Sequence, residues 1–215
     1  MGKNRFVSLV VPPPGDPLPM ALRVRLSVLH DTTAPPDAPD FATFEGQYRY
    51  VNTYRDGLGN VVWDCPDSTS LGTSFNCAVL GCQPEYRDWA GDLAGAPLHV
   101  SGSAVVPSST LAISHVPAYC QGFETDCLAA SAELMVTTRR WGDIVDGGAI
   151  PVNAIDIAAM VDKVKDLPSA VSEPRALLQP RAPTPLSSAV NAQDIGRSVD
   201  AVKGFAYPFT IDACP

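Results

Sequence analysis

Short apolar runs separated by turn residues fill the chain from residue 5 to about residue 140. In the run 22–29, Leu22, Val24, Leu26 and Val28 alternate with polar residues, which is typical of a half-buried strand. Further strands are predicted at 6–11, 47–54, 60–63, 98–106, 110–116 and 132–138, with a hairpin turn before residue 60. About seven short strands with frequent turns predict a mainly β domain, a β-sandwich, over residues 1–140.

One corner of this predicted sandwich has a family likeness. The segment 105–113 reads Val-Val-Pro-Ser-Ser-Thr-Leu-Ala-Ile. It resembles the fibronectin type III corner, in which an apolar-x-Pro-Gly-Thr-x-Tyr segment joins two strands. Ser108 stands for the glycine, and Leu111 lies near the aromatic position. The resemblance implies a fibronectin-III-like or immunoglobulin-like sandwich.

A different pattern begins after Trp141. Residues 152–165 and 190–203 align with an offset of 38 residues, and nine of the fourteen aligned positions are identical. Each copy places apolar residues at helical spacing, at Ile157, Met160, Val161 and Val164 and at Ile195, Val199 and Val202. A helix of ~12 residues is marginal in isolation. The sequence therefore predicts a small α domain over 141–215, in which two helices shelter each other's apolar face.

The two copies also have a family likeness. Val152-Asn153-Ala154-Ile155-Asp156 and Val190-Asn191-Ala192-Gln193-Asp194 resemble type I dockerin repeats, whose Val-Asn-x-x-Asp segment leads into a helix. The likeness extends to a degenerate form at the ends of large secreted bacterial proteins. It implies EF-hand-like calcium loops, and a domain that docks on a cohesin or anchors its parent to a surface. It also implies that the partner is recognised through Ala154-Ile155 and Ala192-Gln193. Because these are an apolar pair and a mixed pair, the partner could be a different protein, or the pairs could pack against the sandwich of the same chain.

Calcium prefers six to eight oxygen ligands with several carboxylates in one short loop. The first loop offers four side chains with oxygen ligands: the carboxylates Asp143, Asp146 and Asp156, and the amide Asn153. The second offers Asn191 and Asp194, with no other carboxylate back to Glu173. Calcium (Ca2+) is therefore predicted in the first loop, and the second is the poorer candidate. Helix capping by Asn-x-x-Asp explains both copies without an ion. It does not explain why Asp143 and Asp146 lie close together in the sequence just before the first copy.

The cysteines indicate the compartment. There are six, without zinc-type spacing, and all are assigned to disulfides: Cys65, Cys77, Cys82, Cys120, Cys127 and Cys214. Three disulfides predict an extracellular or cell-surface location, and reduced buried thiols are the alternative. The apolar run 6–11 is too short for a signal peptide, so a signal is expected upstream of residue 1 if the chain is exported.

Charge and motifs narrow the function. A net charge of −8 argues against nucleic acid and anionic lipid as partners, and no stretch is long enough to span a membrane. No nucleophile, metalloprotease or phosphate-binding motif is present. Aspartates near cysteine and tryptophan could serve as glycosidase acids: Asp64, Asp67, Asp88 and Asp92. Trp89 and Tyr86 could stack on sugar rings, although core packing is the favoured interpretation of the tryptophans.

These observations predict a non-catalytic extracellular module for anchoring or protein interaction. Its expected partner is a protein, or a second copy of the chain, at the cell surface. Two alternatives stay open: a carbohydrate-binding module that recognises polysaccharide, and a small secreted glycan hydrolase.

Overall fold

The computed structural model describes residues 6–11, 19–29, 40–63, 76–118, 131–145, 152–171, 176, 178 and 190–215. Seven strands are present in that part of the chain: β1 (Phe6–Leu9), β2 (Met20–Val28), β3 (Tyr48–Thr53), β4 (Asn76–Gly81), β5 (Leu98–Ser101), β6 (Thr110–Pro117) and β7 (Leu134–Thr137). The same described residues contain the α-helices α1 (Trp89–Leu93), α2 (Ala154–Val164) and α3 (Ala192–Val202), and a 3-10 turn that covers Ala42–Phe44.

All seven strands join in one sheet, in the order β1-β5-β4-β3-β2-β6-β7. Neighbouring strands are antiparallel except for β4 and β5, which are parallel. The sheet curves until it is nearly barrel-shaped. The mainly β class with a small helical part is confirmed, whereas the fibronectin-III and dockerin subtypes stay predictions.

Strand β2 lies in the middle of the sheet and shows the predicted alternation. Leu22, Val24 and Leu26 are buried in the main core. Val28 was expected on the same face but is partly exposed, because the pairing with β6 shifts register between Leu26 and Val28. The opposite face is also covered, since the Arg23 guanidinium lies 4.5 Å from the centre of the Tyr48 ring.

Other predicted strands are shorter or replaced. The predicted strand 98–106 ends at Ser101 and continues into a turn, and 60–63 contributes one bridge, between Arg55 and Val61. Ser108 has the positive φ of 53° at the position where the fibronectin corner has glycine. Strand β4 and helix α1 were not predicted, since the run 76–81 shows no alternation and α1 has only five residues.

Two helices lie at the predicted positions, but Val164 and Val202, which were predicted on the sheltered apolar faces, are exposed. Helices α2 and α3 cover the two copies and contact each other. Met160 of α2 is fully buried, and Ile195 of α3 packs against the same core. That core also contains sheet residues such as Leu22, so one cluster of buried side chains includes residues on both sides of the expected boundary at 140.

The segment after α3 returns to the sheet. The Tyr207 ring makes tilted or edge contacts with Phe41, Trp141 and Phe209, at centroid distances of 6.2, 6.1 and 5.2 Å. Ile211 enters the core, and Cys214 forms a disulfide with Cys82, next to the end of β4. The C-terminal segment thus fastens the helix pair to the sheet.

Candidate functional site

The entrance of α2 is a capping box. Asn153 Oδ1 accepts a hydrogen bond from the Ile155 amide at 2.8 Å, and Asp156 Oδ2 accepts from the Asn153 amide at 3.0 Å. Asp156 Oδ1 also accepts from the amides of Ile144 and Val145, at 2.9 and 3.1 Å. Asp156 is 4% exposed, so this carboxylate ties the loop before the helix to its first turn inside the protein.

The entrance of α3 repeats this arrangement. Asn191 Oδ1 accepts from the Gln193 amide at 2.8 Å, and Asp194 Oδ2 accepts from the Asn191 amide at 3.0 Å. Asp194 Oδ1 accepts from the Leu178 amide at 3.0 Å, and Asp194 is 0% exposed. Both copies therefore use one buried carboxylate to fasten an upstream backbone segment to the start of a helix.

The predicted calcium ligands are already engaged in these contacts. Asn153 and Asp156 accept backbone N–H groups, and Asp143 lies 3.8 Å from the Arg139 guanidinium. A cation would have to replace these donors, so the described oxygens do not fit a calcium site as they stand. Asp146 lies outside the described residues, and calcium in the first loop stays a prediction.

The second copy is a poorer metal site for a different reason. No carboxylate lies between Glu173 and Asp194, and both oxygens of Asp194 accept backbone amides. Within the described ranges, no group of three or more histidine, cysteine, aspartate or glutamate side chains is arranged to hold a metal ion. The capping alternative accounts for the hydrogen bonds that the two aspartates accept from the Asn153 and Asn191 amides.

The far ends of the two helices carry apolar side chains that face solvent. Val164 and Leu167 follow the first copy, and Val202 and Phe205 occupy the same positions 38 residues later. Their exposed fractions are 43%, 41%, 38% and 60%. We call these four residues the repeat-end surface. Ile155, directly after the first cap, is exposed as well.

Three cysteines can be located. Cys82 pairs with Cys214, Cys77 is also disulfide-bonded, and none of these three is free. The disulfide prediction is confirmed for these positions. Cys65, Cys120 and Cys127 lie outside the described residues.

The aromatic candidates for sugar stacking lie inward. Trp89 is 0% exposed, and its ring makes an edge contact with Trp63 at 6.0 Å. Tyr86 is half-buried and packs beside Tyr50. Trp89 therefore belongs to the core, as the packing interpretation predicted, and a sugar cannot reach its ring in this structure.

The described acidic candidates for glycan hydrolysis make local hydrogen bonds and an ion pair. Asp88 caps α1 by accepting from the Gly91 amide at 2.9 Å. Asp92 accepts from Arg87 at 2.6 Å. Asp64 and Asp67 lie outside the described residues. The described pair flanking Trp89 therefore stabilises the local structure, and neither carboxylate is placed to act as a catalytic acid.

A cleft of about 660 Å³ with both polar and apolar lining residues opens where β3, β4 and β5 meet the C-terminal segment. We call it the C-terminal cleft. Its walls include Arg49, Arg55, Glu85 and Asp212, and its floor includes Leu80. The sequence does not predict this cleft, because its residues come from distant parts of the chain. They become neighbours when the sheet folds and the disulfide forms.

Comparison of the chain with protein-family models, curated proteins and solved structures found no match. The geometry of the repeat-end surface and of the C-terminal cleft is therefore the basis for inferring function. None of the helices in the described part of the chain has the length and apolar character that crossing a bilayer requires.

Proposed function

We propose that this chain is a non-catalytic module of an extracellular or cell-surface protein, and that its helix pair anchors it by binding another protein. The observation that carries the proposal is the repeat-end surface. Val164 and Leu167 in one copy, and Val202 and Phe205 in the other, are apolar and exposed at equivalent positions. Scattered exposed apolar residues need no explanation, but two equivalent pairs on one duplicated unit favour a contact surface.

The helix pair is a rigid platform for such a contact. Each helix is fixed at its start by a buried aspartate and packs against the common core. Because the helix pair is already ordered, it loses little conformational entropy when a partner binds. The resemblance of both copies to dockerin repeats favours the same class of function.

The disulfides support the proposed location. Cys82–Cys214 and the bonded Cys77 are stable in an oxidising compartment and rare in a reducing one. Calcium is not required by the proposal, because backbone amides already hold Asp156 and Asp194 in place.

The test compares three purified baits: the natural chain, a Leu167→Asp/Phe205→Asp variant, and a Val10→Asp/Leu58→Asp control. The control residues are also exposed and apolar but lie in the β part. Each bait is exposed to surface proteins of the organism that encodes the chain, and retained proteins are quantified by mass spectrometry. We expect one protein to be retained by the natural chain and the control, and reduced about tenfold or more by the double variant.

That protein is then purified and titrated against all three baits, so that the measured dissociation constants, rather than capture alone, show whether the repeat-end surface binds it. Sedimentation of the baits alone measures self-association, which the double variant would abolish if the partner were a second copy. The proposal is overturned if all three baits retain the same proteins equally and the natural chain stays monomeric.

A further inference from the structure

The C-terminal cleft is separate from the helix pair and has two polar walls. The first wall is built around Glu85. Its carboxylate accepts from the Thr53 amide at 2.6 Å and the Thr53 hydroxyl at 2.8 Å, and it lies 3.3 Å from the Arg55 guanidinium. With a second, longer bond from the Thr53 hydroxyl at 3.1 Å, each Glu85 oxygen already accepts two hydrogen bonds, so this carboxylate fixes the wall and holds Arg55 in place.

The second wall is built around Arg49 and the C-terminal segment. Arg49 is 4% exposed, and its Nη2 donates to the Asp212 carbonyl at 3.0 Å. The Asp212 amide donates to Ser103 Oγ at 2.9 Å, which leaves the serine hydroxyl hydrogen available as a donor. Burial lowers the pKa of Arg49, and the negative charge of Asp212 opposes that shift.

Between these walls the cleft is apolar. Val79, Leu80 and Ala104 line it together with Cys82 of the disulfide, and the half-buried Tyr54 supplies an aromatic ring. A lining with an apolar base and polar sides fits a ligand that has one carbon–hydrogen face and a rim of hydroxyl groups. Sugar rings have this form. The volume lies within the range of small-molecule sites and holds one or two sugar rings.

We infer that the C-terminal cleft binds neutral carbohydrate, one or two sugar rings at a time. The charges favour a neutral ligand, because Arg49 and Arg55 line the cleft together with Asp56, Glu85 and Asp212. A hydroxyl group both donates and accepts, so it can pair with a guanidinium and with a carboxylate. A ligand of one charge sign would meet repulsion on part of the lining.

The arrangement of carboxylates favours binding without hydrolysis. Asp56 accepts from Asn60 and from the amide of Leu58, and hydrogen bonds led by the Asn60 side chain lower its pKa. A glycosidase acid needs a raised pKa, so Asp56 cannot fill that role near neutral pH. Glu85 is occupied by Thr53 and Arg55. We therefore expect the sugar to be bound and released unchanged.

The experiment is isothermal titration of the natural chain with neutral disaccharides: cellobiose, maltose, xylobiose, mannobiose, lactose and chitobiose. Digalacturonic acid and the diamine form of chitobiose serve as anionic and cationic probes. We expect saturable binding of at least one neutral disaccharide, and weaker or no binding of the charged probes. Arg55→Ala should weaken binding about tenfold by removing a donor from the first wall.

The matched control is Arg139→Ala, because Arg139 is as exposed as Arg55 and also lies near one carboxylate, outside the cleft. A second variant, Gly81→Ala, changes the lining of the cleft without removing a charge. A Cβ at residue 81 would lie 2.4 Å from Asn52 Nδ2, so the Asn52 side chain, which lines the cleft, must move. Arg139→Ala should bind normally, and Gly81→Ala should lose affinity.

The inference is overturned if no neutral disaccharide binds, if a charged probe binds more tightly than every neutral one, or if Arg55→Ala and Gly81→Ala bind like the natural chain. Chromatography of the disaccharides after a day with the protein separates binding from hydrolysis. Intact sugar supports the inference, and cleaved sugar overturns it.

Discussion

The two loop–helix copies share an entrance and differ in what surrounds it. Both begin with an asparagine cap and a buried aspartate that accepts upstream backbone amides. Further along, Met160 fills the core in the first copy, whereas the second has Ser198, whose buried hydroxyl has no hydrogen-bond partner. The capping carboxylate is thus the part that both copies need, and the interior of the helix is the part that could change.

The copies also differ in the acidic residues that precede them. Asp143 precedes the first helix entrance, and no acidic residue lies between Glu173 and Asp194 before the second. Since the buried aspartates make corresponding hydrogen bonds despite this difference, upstream carboxylates are not needed for the entrance to form. Each of the following experiments changes one copy and uses the other, or an equivalent site, as its reference.

The largest effect is expected on removing the shared carboxylates. Asp156→Ala and Asp194→Ala each leave one buried and at least one partly buried backbone amide without an acceptor, and each should lower the free energy of unfolding by about 3 kcal/mol. Urea denaturation measures this. Asp162→Ala and Asp200→Ala change equivalent, more exposed positions and should cost about 0.5 kcal/mol or less. If only one of the buried pair matters, the two entrances are not equivalent.

A smaller effect is expected where the first copy meets the second helix. Gly142 has a φ of 81°, and a Cβ there would lie 2.4 Å from the Ala201 Cβ. Gly142→Ala should therefore lower stability by about 2–3 kcal/mol, from backbone strain and from displaced packing. Gly204 has a φ of 80° with open space around it, so Gly204→Ala should cost about 1 kcal/mol. Equal losses in thermal unfolding would show that the contact with Ala201 is unimportant.

Replacing the unpartnered serine should stabilise the second copy. Ser198→Ala removes a buried hydroxyl that has no partner, and we expect the free energy of unfolding to rise by about 1 kcal/mol. Ser109→Ala is the reference, because the equally buried Ser109 hydroxyl donates to the Pro107 carbonyl at 3.1 Å. That change should lower stability by a similar amount. A loss for Ser198→Ala would reveal a hydrogen bond that the hydroxyl makes in solution.

The smallest effect is expected from calcium. Melting temperatures in 1 mM calcium and in EDTA should differ by less than about 1 °C, because amide N–H groups already occupy the oxygens of Asp156 and Asp194. A calcium site with a dissociation constant one hundred times lower would add about 2.7 kcal/mol. A rise in melting temperature that Asp156→Ala abolishes and Asp194→Ala retains would establish calcium in the first loop.

The sequence was most informative where neighbouring residues decide the structure. Alternation marked β2, and the 38-residue repeat located both helices and their caps, since these features depend on contacts within a few residues. Register was harder to predict. The displacement of Val28 arises from a bulge against β6, which no pattern inside β2 reveals.

The C-terminal cleft could not be predicted because it is assembled over long distances. Arg49, Glu85 and Asp212 are separated by dozens of residues, and each alone reads as an ordinary surface charge. Six cysteines allow fifteen pairings, so the sequence did not show that Cys214 returns to Cys82. That disulfide acts together with the Arg49–Asp212 hydrogen bond and the burial of Ile211 to hold the last residues beside β3.

The Cys82–Cys214 disulfide also determines how this protein carries mechanical load. It closes a loop of 132 residues, which contains α1, strands β5 to β7 and both repeat helices. Tension between the first four strands and Pro215 passes through the sulfur–sulfur bond and bypasses that loop. A pull exerted on α2 and α3 instead enters inside the loop, where the shared core must resist it.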